Sequence, residues 1–143
     1  MRRQGQRGSV LVEFALVIPV AILLLFGIIE MANAVFAYDL VTNAARLGAR
    51  YAIVRGSDCS VSGCPATSAS IQTYVQGLSS GVNTASLTVT TTWSANGTCK
   101  TAPYQAAGCL VTVNVSYPYS LIMHPIVKSG WTMTSTSKMI ISQ

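Results

Sequence analysis

The 143-residue chain has little charge: only 9% of its residues are Asp, Glu, Lys or Arg, and it has one histidine, His124. Besides the glutamates Glu13 and Glu30, its only acids are Asp39 and Asp58. A nucleophile–base–acid triad is hard to build from that set. His124, before Pro125 in an apolar segment, reads as structural, and nothing in the sequence supports cationic catalysis by Lys128. There is no C-x-x-C pair, which argues against a thiol redox enzyme. A Gly-rich phosphate loop is missing too. The net charge is +5, but three arginines lie in residues 1–8, so the remainder carries +2. That falls short of the clustered basic footprint of a nucleic-acid binder. We therefore expect no enzyme, no cofactor, no small-molecule substrate and no nucleic-acid partner. The length suits one small domain plus an anchor.

What is present is an apolar run. From Val10 twenty consecutive positions are apolar except for Glu13, and Arg2, Arg3 and Arg7 precede them. A helix of about 20 such residues crosses a bilayer. A carboxylate at mid-bilayer costs about 2.5–3.5 kcal/mol on insertion scales. Glu13 therefore either lies at headgroup depth at the helix end or meets a partner. An A-x-A-like site, Ala32-Asn33-Ala34, would let an ordinary signal peptidase cut before Val35. Against this, the run exceeds the 7–15 residues of a signal-peptide core, and Glu13 and Pro19 interrupt it. Arg46, Arg50 and Arg55 beyond the run balance the leader arginines, so flanking charge leaves the orientation open. The cysteines decide it. Cys59, Cys64, Cys99 and Cys109 all follow the run, an even number that suits an oxidising compartment. The N-terminus is expected on the cytoplasmic side.

The helix is expected to continue beyond Glu30. Met31–Val54 has no proline and one glycine. Ala34, Tyr38, Val41, Ala45, Gly48 and Ala52 recur at helical steps, and Asp39, Asn43, Arg46 and Arg50 form a second face. Continuous from Val10 to Val54, such a helix is ~67 Å long at 1.5 Å per residue. The small residues Ala32, Ala34, Ala37, Ala44, Ala45, Gly48, Ala49 and Ala52 admit close approach, either by another subunit or by the chain's own domain. Pro19 is expected to kink the span and free a carbonyl. Glu30 reads as an interfacial carboxylate or a second subunit contact, and Gly56 as the residue that ends the helix.

Beyond Gly56 the chain is polar and almost uncharged. Zinc is disfavoured by the Cys spacing and the lack of a nearby histidine. Disulfides are the better reading, most simply Cys59–Cys64 and Cys99–Cys109, with the two other pairings open. Ser68–Leu78 carries Ile71, Val75 and Leu78 at helical spacing, and Ser79-Ser80-Gly81 stops it. Ser86–Trp93 and Val111–Tyr117 alternate as half-buried strands, the second ended by Pro118. Ser94–Gly108 is a long connection, Ser120–Ser129 an uncertain short helix broken at Pro125, and Trp131–Ile141 a last strand. The expected fold is α+β: a long N-terminal helix, a membrane span continuing outside, packed on a small antiparallel sheet.

The segment Gly8-Ser-Val-Leu-Val-Glu13-Phe14, set between a basic leader and an apolar helix, resembles the processing site of type IV-like prepilins. Together with Pro19, Gly27, Glu30, Asn43-Ala44-Ala45-Arg46 and Gly48–Ala52, it looks most like the TadE/TadF minor pilins of the tight adherence (Flp-type) system. Type II secretion pseudopilins usually place an aromatic after the cut, where this chain has Ser9. The resemblance covers about the first 55 residues and implies several expectations. A prepilin peptidase cuts between Gly8 and Ser9. Glu13 and Phe14 then become the fifth and sixth mature residues, and Glu13 sets register between subunits by pairing with the α-amine of a neighbour. The expected organisation is a leader at 1–8, a transmembrane part at 9–30, an extracytoplasmic continuation at 31–55 and a disulfide-bonded α+β domain at 56–143. Expected partners are the bacterial inner membrane, the peptidase, other pilin subunits and the assembly platform, with pilus-mediated surface attachment as the outcome. The competing expectation is an anchored or secreted disulfide-bonded binding module with an ordinary targeting signal.

Overall fold

The computed structural model describes residues 5–97, 99–121 and 130–142. Helix α1 spans Gly5–Ile53 and α2 Ser68–Leu78; a 3₁₀ turn at Thr84–Ser86 leads to strands β1 (Thr88–Ser94), β2 (Leu110–Ser120) and β3 (Gly130–Ile140). The strands form one antiparallel sheet in the order β1-β2-β3. The chain divides into two compact units, residues 1–35 and 36–143. The first, where described, is helix alone, and its side chains from Ser9 to Ile29 are exposed. Helical backbone already begins at Gly5, inside the expected leader. His124 and the segment expected to break at Pro125 lie outside the described residues.

In the second unit, the C-terminal part of α1 packs on α2 and the sheet. Ala37, Val41, Ala44, Ala45, Ala49 and Ala52 are buried, whereas Asp39, Asn43, Arg46 and Arg50 are exposed. The small-residue stripe thus serves the chain's own core. It runs through Ala37, four residues before Val41, and not through Tyr38, which is 58% exposed. A four-residue step returns closer to the same helix face than a three-residue step does. Gly48 lies at a close approach: a Cβ there would meet Val75 Cγ2 at 3.0 Å and Val113 Cγ1 at 3.1 Å.

Helix α2 starts where a local capping pattern allows. Thr67 Oγ1 accepts from the Ser70 N–H (3.1 Å), and Ser70 Oγ accepts from the Thr67 N–H (2.9 Å). This reciprocal box satisfies two donors at the helix start. Ile71 and Val75 face the core, and the Gln76 side-chain amide donates to the carbonyls of Thr84 and Leu87, both at 3.2 Å. Asn83 caps the 3₁₀ turn by accepting from the Ala85 N–H, which is why β1 begins at Thr88 and not at Ser86. Gly81 takes φ +101°, a conformation open to glycine at little cost.

The strands alternate as expected. Leu87, Val89, Val111, Val113 and Val115 are buried, together with Met133 of β3 and Ile141 just beyond it. Burying a valine or leucine side chain contributes about 1.5–3 kcal/mol. The opposite face is polar: register places Thr90, Asn114 and Thr136 side by side, and Asn114 Nδ2 donates to Thr136 Oγ1 at 2.8 Å.

Two boundaries depart from expectation. Pro118 does not end β2, which runs on to Ser120 with Pro118 opposite Thr132. The β1 partners stop at Ser116, so β2 is locally an edge there, a place where proline costs no ladder bond. Gly56 does not cap α1 either. The helix ends at Ile53, and Gly56 is absent from the positive-φ glycines. The Ile53 carbonyl accepts instead from the Ser142 N–H (3.0 Å) and hydroxyl (2.9 Å), so the C-terminal segment satisfies the helix end.

Replacing Gly48 by leucine should overpack the junction of α1, α2 and β2. Gly48→Leu is expected to lower unfolding free energy by about 1–3 kcal/mol, measured by denaturation of the detergent-solubilised protein. Unchanged stability would mean that α1 does not pack this closely.

Candidate processing and assembly site

Gly8, Ser9, Glu13 and Phe14 all lie within the first turns of α1. Ser9 and Glu13 are four residues apart. Helical geometry puts them on the same face, one turn apart, with about 6 Å of rise between them at 1.5 Å per residue. Glu13 is exposed, and Phe14 is 64% exposed. Every apolar neighbour from Val10 to Ile29 is likewise uncovered. An exposed apolar surface of this extent calls for lipid or protein around it. The helix is long and apolar enough to cross a membrane, with one candidate span within Ser9–Ile53. Glu30, at the end of the strongly apolar stretch, is half-buried and has an interaction partner.

The partial positive charge at a helix N-terminus fades within the first turn, and α1 has no acid in its first turn, so that charge does not account for Glu13. A chain starting at Ser9 would carry its α-amine at that N-terminus, with a reference pKa of ~7.7–8.0. Glu13, four residues on, is the acid nearest to Ser9 in the sequence.

The four cysteines form Cys59–Cys64 and Cys99–Cys109. The Cα atoms are 5.9 and 5.0 Å apart, and no cysteine is free. The first bridge closes the loop after α1. The Ala66 N–H of that loop donates to the Arg55 carbonyl (2.8 Å), and Gln105 joins it through the Ser57 N–H and the Ala66 carbonyl. The second bridge is buried and sits where β2 begins, beside the backbone exchange between Gly108, Cys109 and Ile141. Among the described residues there is no group of three or more His, Cys, Asp or Glu arranged to hold a metal.

Sequence reasoning missed a cation–aromatic stack at the far end of α1. The Arg55 guanidinium lies 3.9 Å from the Tyr51 ring centroid, and Tyr51 stacks on Tyr74 of α2 at 4.3 Å. Such contacts are worth about 0.5–2 kcal/mol each. The i, i+4 spacing of Tyr51 and Arg55 is a visible signal for the first contact, whereas Tyr74 becomes a neighbour only through folding.

These features define a class: a chain whose apolar N-terminal helix is able to cross a membrane and whose remainder is a small disulfide-bonded α+β unit. Residues 8–50 match the family model described as TadE-like protein. That match begins at Gly8 and takes in Ser9, Glu13 and Phe14. No curated protein and no solved structure matches the chain.

Removing the buried bridge should cost more than removing the half-buried one, because it closes the longer loop (sequence separation 10 against 5) and its thiols are core residues. The double variant Cys99→Ala/Cys109→Ala is expected to lose about 2–4 kcal/mol, and Cys59→Ala/Cys64→Ala less, by denaturant titration. Equal losses would contradict the assignment of the second bridge to the core.

Proposed function

We propose that this chain is a TadE-like minor pilin, or pseudopilin, cut by a prepilin peptidase after Gly8 and used in assembling a tight adherence pilus for surface attachment. The family match over residues 8–50 carries this reading. That family is a structural component of pili and not an enzyme family. The match supports a Tad pilus-associated protein, and the Gly8-Ser9 and Glu13-Phe14 residues inside it support cleavage and an assembly role. The chain would reside in the bacterial inner membrane as a single-pass protein, N-terminus cytoplasmic, with its disulfide-bonded part outside. A secreted module cut before Val35 would discard most of the matched segment, which argues against that alternative.

The mechanism follows from charge in a low-dielectric setting. Cleavage between Gly8 and Ser9 frees an ammonium at Ser9. The unpaired Glu13 carboxylate and this ammonium are each disfavoured away from water. Pairing Glu13 of one subunit with the Ser9 amine of the next relieves both, and it does so only at one axial offset. The pair thus sets register, a role for which buried polar groups are well attested. Residues 57–143 carry only Asp58, Lys100, Lys128 and Lys138 as charged groups, a surface suited to neutral contacts with other subunits.

The variant Glu13→Ala should insert into membranes as the parent does, resisting alkaline extraction, while surface pili fall severalfold by shearing assay. Normal piliation with Glu13→Ala would remove the register role.

A further inference from the structure

The sheet has two edge strands, β1 and β3, and both are antiparallel to β2, so they run in the same direction. Backbone groups point to alternate sides along a strand. The Ile141 N–H donates to the Cys109 carbonyl (2.8 Å), which turns the odd residues of β3 toward β2. Pro118, opposite Thr132, has no N–H to give and agrees with that phase. Thr132, Thr134, Thr136, Lys138 and Ile140 therefore turn their N–H and C=O groups to the open side. By the same alternation Val89, Thr91 and Trp93 do so on β1. Among the described residues no backbone hydrogen bond reaches either row; the Gln76 amide closes only the Leu87 carbonyl just before β1. Natural edge strands are blunted by charge, proline or short length. β1 carries no charge and no proline, and the 11-residue β3 carries only Lys138. Thr91 is 7% exposed, and among the described residues its Oγ1 has no hydrogen-bond partner.

From these two open rows and the orphaned Thr91 hydroxyl we infer that β3 takes β1 of a second copy of this chain as its next, parallel strand. A copy displaced sideways in the plane of the sheet, without rotation, brings its β1 beside β3. One register matches the side chains on both faces. With Thr90 of the copy opposite Thr134, Thr88 meets Thr132 and Thr92 meets Thr136, and all six threonines are exposed on the polar face. On the other face Val89 falls opposite Met133, and Thr91 opposite the half-buried Ser135. Hydroxyl pairs across strands are favourable, and a buried hydroxyl without a partner is costly. Ser135 of one copy thus supplies what Thr91 of the other lacks. Lys138 meets Ser94, so no like charges face each other. A two-fold pair of β3 with β3 would leave β1 and Thr91 unpartnered. The contact is head-to-tail, and each added copy presents a new open β3. It uses residues 36–143 alone and adds a subunit contact that does not need the cut after Gly8.

The test uses the full chain in detergent micelles. The native cysteines are all bridged, so an added cysteine is the free thiol. Chains carrying Thr90→Cys and Thr134→Cys are mixed and oxidised with copper phenanthroline. Paired strands lie about 4.8 Å apart, within the Cα separation of about 4.4–6.8 Å that a disulfide spans. The mixture should give a covalent dimer that neither chain gives alone. Lys138→Cys, about 13 Å further along β3, should not couple to Thr90→Cys. Adding Thr132→Pro to the Thr134→Cys chain removes an outward N–H that β2 does not use, so dimer yield should fall severalfold while the unfolding midpoint holds. Thr91→Val tests the same contact without touching the backbone: yield should fall while the midpoint holds or rises. A dimer from Thr134→Cys alone would mean that β3 pairs with β3, which overturns the proposal. Equal coupling by Lys138→Cys, which marks random collision, also overturns it, as does the lack of any dimer. Full yield with either Thr132→Pro or Thr91→Val does the same. The crosslink reads this contact whether or not the mature chain begins at Ser9.

Discussion

One helix has to satisfy two surroundings, and the rest of the molecule follows from that. From Val10 to Ile29 α1 is apolar all round apart from Glu13, and among the described residues nothing covers it. From Ala37 onward only a stripe of small residues is buried, and the opposite face carries Asp39, Asn43, Arg46 and Arg50. An all-round apolar helix belongs in lipid or inside an assembly, whereas a one-sided helix belongs on the surface of a folded unit. The sheet, α2 and both disulfides serve the second requirement. They build a compact support for a stripe too small in side-chain volume to form a core alone.

That support depends on closeness more than on bulk. Alanines and Gly48 contribute little apolar area themselves, but they let Ile71, Val75 and Val113 approach the helix backbone. Packing of this kind forfeits dispersion energy quickly when a gap opens. The long-range ties concentrate at the end of the helix: Ser142 on the Ile53 carbonyl, Gln105 on the first disulfide loop, and the Arg55–Tyr51–Tyr74 stack.

Much of this architecture was legible in the residues because it is local. The limits of α2 follow from hydrophobic spacing between a Thr/Ser start and a Ser-Ser-Gly stop. The alternation of Val and Thr marks β1 and β2, and the simplest cysteine pairing is the one that forms. What was misread depends on partners distant in sequence. Pro118 looked like a terminator because its position beyond the last β1 pair is set by the sheet and not by its neighbours. Gly56 looked like a cap because nothing nearby announces that Ser142 will satisfy the helix end. Tyr38 fits the small-residue face only by its three-residue step to Val41; the four-residue step from Ala37 falls closer to that face, and Ala37 is the residue buried. For the candidate site, the Gly8–Glu13–Phe14 arrangement was visible at once, since it is contiguous. The stacking of Tyr51 on Tyr74 was not, since it needs α2 folded back on α1.

The central claim is that the apolar helix is the mature N-terminus of a processed subunit and not merely an anchor or a signal. Its chemistry turns on whether Ser9 carries a free amine one turn from Glu13. Intact mass of the protein recovered from membrane and shed fractions reads this directly. The account predicts a chain that begins at Ser9 in both fractions. A chain beginning at Val35 would make it a secreted module, and one retaining residues 1–8 would leave an anchored protein without the amine that Glu13 is proposed to meet; either result contradicts the account.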